Sequence, residues 1–192
     1  MIQRGALCVV NWLIRSNAIK DENKEIYVYA MYSFFLSCTP IAFALIFGAC
    51  MGCLEKCLAI TLPFAVIRKF SGGFHTKHSW SCLIISSVLM LSCVYISKYC
   101  ECSTVLMIVT GIAVIILFVC SPVDCENRRL DADEKKQYKK MTILLVAFFY
   151  ILSMSLRIFN LLEWSQNIAI GIVLAAILQV PCVLKYFKGK IE

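Results

Sequence analysis

The sequence predicts an all-α integral membrane protein with about six transmembrane helices, the second of them short or re-entrant, behind an N-terminal amphipathic helix. Three observations carry that expectation: the size of the apolar excess, its division into runs, and the placement of the basic residues. Of the 192 residues, 60% are apolar or aromatic and 16% are charged, with a mean hydropathy of +0.79. Soluble domains hold about 45–50% apolar and about 25% charged residues. So large an excess needs lipid to cover it. The charges also avoid the long apolar runs and gather between them, as spanning helices require.

The N-terminal segment, residues 1–25, reads as an interfacial helix. Ile2, Ala6, Val9, Val10 and Leu13 recur near helical spacing, with Arg4 and Asn11 elsewhere on the wheel. A cleavable signal peptide is not expected, because Arg4 and Asn11 break the apolar run and a charged stretch follows it. Against a crossing length of roughly 20 residues, the apolar runs at 26–49, 80–97, 103–121, 141–159 and 166–187 read as spans. The run at 54–67 is shorter, starts with Glu55 and Lys56 and contains Pro63. It is the short or re-entrant element.

Charge asymmetry decides between five and six crossings. Six crossings with a cytoplasmic N-terminus put 16 of the 19 Lys and Arg residues on the cytoplasmic side, leaving only Lys56, Lys98 and Arg157 outside. That asymmetry follows the positive-inside rule and predicts both termini in the cytoplasm. The whole chain, 1–192, reads as a single polytopic domain without internal repeats. Its longest polar segment is 122–140, whose second half, 131–140, has helix-forming residues that run on into the next span. The net charge of +7 goes with an anionic membrane surface rather than nucleic acid, for which no binding motif is present.

Twelve cysteines do not imply a disulfide scaffold here, since Cys38, Cys93, Cys120 and Cys182 sit in apolar runs as small hydrophobes. Cys50 and Cys53 have the spacing of a redox or metal pair, but no second matching pair accompanies them. The more informative segment is 68–82, RKFSGGFHTKHSWSC, which holds both histidines of the chain within seven residues of Cys82. An imidazole can take the proton of a thiol and leave the nucleophilic thiolate. In one continuous helix, His75 and Cys82 would share a face but lie about 10.5 Å apart along the axis, too far to bond. Gly72 and Gly73 permit a turn before His75. Ser79 can cap a helix starting at Trp80, which would put Cys82 near the positive end of that helix, where a thiol ionises more readily. Two other readings stay open. The pair could be structural, in a small transporter or scaffold. Alternatively, His75, His78 and Cys82 could be zinc ligands on one side of a helix, although a fourth ligand is not evident.

The arrangement Arg68-x3-Gly72-Gly73-x-His75-x6-Cys82 resembles the AgrB (accessory gene regulator B) family of bacterial membrane peptidases. The chain length, the place of the motif near the first third of the chain, and the Pro122-Val123-Asp124 lead into a basic loop resemble it too. The resemblance implies a cysteine endopeptidase of the bacterial cytoplasmic membrane. Such an enzyme removes the C-terminal tail of a quorum-sensing propeptide and promotes closure of a thiolactone or lactone ring. By that resemblance His75 and Cys82 are the catalytic pair, with Arg68, Gly72 and Gly73 supporting the motif. Lys135, Lys136, Lys139 and Lys140, which form i, i+4 pairs, fall where the family has functionally important basic residues. The implied partners are an AgrD-like propeptide with an amphipathic leader and a charged tail, membrane lipid, and a second copy of the chain. No cofactor or metal is implied.

Overall fold

The computed structural model describes residues 2–72, 88–89, 91–98, 104–123 and 131–188. Helix α1 covers Ile2–Arg15, and a 3-10 turn at Asp21–Asn23 leads into α2, Lys24–Met51. Then come α3, Leu54–Ser71; α4, 91–98; α5, Thr104–Cys120; α6, Ala132–Ile158; and α7, Leu162–Lys188. The described residues contain no strand, so the all-helical expectation holds for them.

The first helix buries Ala6 and Val10, one turn apart, and packs on α2 while Trp12 stays exposed. Its apolar stripe is therefore used against the bundle as well as at the surface. The second apolar run gives a longer helix than its hydropathy suggests. α3 is continuous for 18 residues and takes Arg68 and Lys69 into its last turn. Pro63 cannot donate to the carbonyl one turn earlier and should weaken the helix. Tertiary packing offsets that loss, because α7 runs against α3 at this level. A Cβ on Gly171 would lie 2.5 Å from the Ile60 carbonyl oxygen and 2.7 Å from Pro63 Cγ. Close backbone approach of this kind is how helices associate where lipid removes the hydrophobic drive between them.

α7 is the central helix, packed against α3, α5 and α6. Ile60 and Ile67 of α3, Leu117 of α5, Val146 of α6 and Ile172 of α7 are wholly buried in the shared core. The outer faces are apolar too. Val105, Ile108, Ile112, Ile115 and Val119 form an exposed stripe down α5, and Leu144, Phe148, Ile151 and Ile158 form another down α6. Exposed apolar stripes of this length are surfaces that a membrane or a partner covers. Asp133–Ile158 and Leu162–Val183 are each long and apolar enough to cross a membrane, and Thr104–Cys120 and Ile41–Met51 are shorter apolar helices. Helix length and hydropathy thus give two candidate crossings, which agrees with membrane association, and do not reach the count of about six.

Polar contacts at the two ends of the bundle give the direction of each helix. At one end Lys56, at the start of α3, pairs with Glu163, at the start of α7, at 3.2 Å. There Ser97, at the end of α4, bonds Asn167. Ser153, in the last third of α6, donates to the Ser165 carbonyl at 2.9 Å. At the other end Gln179 of α7 reaches both Ser71, the last residue of α3, and Ser121, just past α5. Helices α3, α5 and α7 therefore run one way, and α4 and α6 the other.

Candidate functional site

The candidate site begins where α3 ends. Arg68 is half-buried, its guanidinium carbon 5.6 Å from the centre of the Phe64 ring. Lys69 is exposed, and Phe70 packs on Tyr138 near the start of α6, ring centres 5.7 Å apart. Gly72 has φ +74° and ψ −176°, a region of backbone space that is essentially glycine's alone. A Cβ there would also lie 2.6 Å from the Val123 carbonyl oxygen. Gly72 thus takes a conformation that requires glycine, and it is pressed against the Pro122-Val123 segment that the sequence also singles out; the rest of the expected turn, from Gly73, lies outside the described residues.

The Ser71 carbonyl is the last of α3, and a helix end leaves such carbonyls without helical partners. Two donors from distant parts of the chain satisfy it. The Val123 N–H donates at 3.1 Å and Gln179 Nε2 at 3.2 Å. The second hydrogen of Nε2 goes to Ser121 Oγ at 2.9 Å. A carbonyl oxygen can only accept, so these contacts also settle which end of the Gln179 amide is nitrogen. Gln179 is wholly buried, and its Oε1 has no partner among the described residues. Burying an unsatisfied acceptor costs about 1–3 kcal/mol. An apolar side chain of the same length would avoid that cost, so the donating half of the amide is what distinguishes glutamine here.

The four lysines divide. Lys135 is half-buried on the α6 face that also carries Tyr138 and Thr142, while Lys136, Lys139 and Lys140 are exposed. They do not act as one uniform row. Lys136 lies 3.9 Å from Asp133, with both side chains more than four-fifths exposed, a pairing that contributes little. His75, Cys82, Gly73 and His78 lie outside the described residues, as do Ser79, Trp80, Arg128 and Arg129. Of the residues that the sequence singles out, the structure therefore describes Arg68, Gly72 and the four lysines. Among the described residues no group of three His, Cys, Asp or Glu side chains could hold a metal. Cys53 pairs with Cys57, not Cys50, at a sulfur–sulfur distance of 3.9 Å. That contact is at the opposite end of α3 from Gly72.

Sequence reasoning passed over Gln179 and Ser121. A signal for Gln179 existed: it is an uncharged polar residue within an apolar run, and polar groups at membrane depth need partners. A search for charges alone does not find it. Nothing in the sequence pairs it with Ser71, 108 residues away.

No solved structure matches the chain. Among proteins of known sequence it is similar to a putative AgrB-like protein of Clostridium perfringens strain SM101, 24% identical over 89% of this chain and 85% of that one. It is also similar to a putative AgrB-like protein of Halalkalibacterium halodurans, 21% identical over 96% of this chain and 90% of the other. The accessory gene regulator protein B of Staphylococcus saprophyticus is 27% identical over 65% of this chain and 64% of its own. Residues 6–181 match the family described as Accessory gene regulator B. This chain belongs to the AgrB family, and membership implies a part in accessory-gene-regulator quorum sensing.

Proposed function

We propose that this protein is a membrane cysteine endopeptidase that removes the C-terminal tail of an AgrD-like propeptide and promotes ring closure on the remainder. The observation that carries the reading is the family match across residues 6–181 of a chain with His75 and Cys82 three and ten residues beyond Gly72. The frame supports it. The ends of α3 and α5 and the last turns of α7 meet at Gly72, beside the lysine-bearing start of α6. In this reading the protein crosses the bacterial membrane six times with both termini cytoplasmic. The alternating helix directions and the cytoplasmic excess of Lys and Arg support that arrangement.

The chemistry follows from the two side chains. Cys82 thiolate attacks the scissile carbonyl, and His75 as imidazolium protonates the departing amine. The tail leaves, and the propeptide remains joined to Cys82 as a thioester. Attack by a thiol of the propeptide exchanges one thioester for another, so the ring closes without ATP. A hydroxyl nucleophile would give the lactone. Water must be excluded while this exchange competes with hydrolysis, which a site at the membrane edge favours. The lysines of α6 supply positive charge for an acidic tail, and the amphipathic leader lies in the interface beside the site.

The test is processing of the native propeptide in proteoliposomes. Cys82→Ala and His75→Ala should each abolish tail removal, because the two act as a unit, while leaving insertion and thermal unfolding unchanged. Cys50→Ala and Cys53→Ala should process normally. Full tail removal by folded Cys82→Ala protein would overturn the peptidase reading.

A further inference from the structure

We infer that Gln179 is a positioning residue for the catalytic segment. Its amide clamps the end of α3 to the end of α5 and so sets the direction in which the chain leaves Gly72 toward His75. The inference rests on the proposed function and goes beyond it, since Gln179 lies about a hundred residues from the segment it would align.

Three features single out this contact. Both hydrogens of Nε2 are used, on the Ser71 carbonyl and on Ser121 Oγ, so the amide ties three helices at one point. The Ser71 carbonyl takes a second donor, the Val123 N–H, and with that its two lone pairs are filled. The next residue is Gly72, whose backbone leaves no room for a Cβ against Val123. The last residue of α3 is thus held from two sides, and three residues separate it from His75. The rest of the buried surface around α3, α5 and α7 is dominated by Ile60, Ile67, Leu117 and Ile172. A two-hydrogen amide clamp restricts rotation of the helix end from which the segment carrying His75 starts.

Proton exchange between His75 and Cys82 requires hydrogen-bond reach, and a misplacement of about 1 Å can cost about 100-fold in rate. Gln179→Met keeps the side-chain length and volume and removes both donors. Two readouts then separate positioning from general stability: the kcat and KM for tail removal, and the pH profile of Cys82 alkylation followed by mass spectrometry. In folded Gln179→Met protein, kcat should fall about tenfold to 100-fold with KM within about twofold. The alkylation profile should move toward that of the His75→Ala variant. Ser121→Ala removes one acceptor and should move both readouts the same way by less; it carries the test if Gln179→Met does not fold.

The inference is overturned if the folded variants keep the wild-type kcat and alkylation profile. It is also overturned if kcat falls only in proportion to folded protein while the profile is unchanged. Cys82→Ala, measured in parallel, separates the two failures. If Cys82→Ala still removes the tail, the peptidase reading falls, and the alkylation profile still decides the clamp. If Cys82→Ala is inactive and Gln179→Met is wild type in both readouts, the clamp alone falls.

Discussion

Helices α2 and α3 both end on a glycine with positive φ, yet different parts of the chain hold the two ends in place. After α2, Gly52 has φ +64° and ψ +26°, its N–H bonds the Ala49 and Gly48 carbonyls, and the Cys53 N–H bonds Gly48 at 2.9 Å. That is a local cap, made from residues within five positions. After α3, Gly72 shares the positive φ, but its ψ of −176° sends the chain away extended. The Ser71 carbonyl is capped instead by Val123 and Gln179, from segments 52 and 108 residues distant. The first end can form as soon as its own residues are helical. The second exists only when three helices have assembled, so the geometry of whatever follows Gly72 depends on the whole bundle. On the proposed function, the segment that carries His75 is therefore anchored only in the assembled protein.

The largest effect should come from Gly72→Ala. It places a side chain in a backbone region that disfavours one and within 2.6 Å of the Val123 oxygen. The expected cost is about 2–5 kcal/mol, read by thermal unfolding in detergent, with tail removal lost in whatever protein remains folded. Near-normal processing by this variant would break the comparison. Val123→Pro removes one of the two donors to Ser71 and leaves Gln179 in place. It should cost about 1 kcal/mol and lower processing more than stability. Equal losses in both would mean that the contact only holds the fold together.

The two ends also differ in charge, and that difference can be tested on binding. At the Gly52 end Lys56 is paired with Glu163, whereas at the Gly72 end Lys136, Lys139 and Lys140 are exposed. Lys136→Glu combined with Lys140→Glu should raise KM for a propeptide with an acidic tail several-fold. A basic tail should partly restore processing, and salt should weaken native binding because the charges are solvent-exposed. Wild-type cleavage by the double variant, with topology intact, would leave these lysines as an orientation signal only. The smallest effect on processing is expected for Gly52→Ala. It has open space around a Cβ and meets only the left-handed backbone cost of about 1–2 kcal/mol, with processing close to wild type.

Much of the frame could be read from residue order. The apolar runs marked α2, α5, α6 and α7 to within several residues, and Gly72 and the Pro122-Val123 segment stood out before their contact was known. Other features could not be read that way. The α3 run looked short because Glu55, Lys56 and Pro63 lower its hydropathy, while contact with Gly171 keeps the helix intact through Pro63. The lysines looked like one row, but Phe70 on Tyr138 turns the Lys135 face inward. The Cys50/Cys53 spacing, which no second pair accompanied, gave no hint of Cys57, one helical turn from Cys53, whose sulfur lies 3.9 Å from that of Cys53. His75 and Cys82 were legible as a pair, and both lie outside the described residues.

The sequence by itself determined the helical class and the demand for lipid, and its motif pointed to the family that the match over residues 6–181 shows. The class and the demand for lipid follow from composition and periodicity, and the family from resemblance, none of which needs a folded partner to be read. Only the tertiary structure decided how α3 ends, because its last carbonyl draws its donors from Val123 and Gln179. A hydrogen bond between residues 108 positions apart leaves no periodic trace in the chain. It arises from the packing of α3 against α7, where Gly171 lets the two backbones meet and brings Gln179, two turns further on, to Ser71.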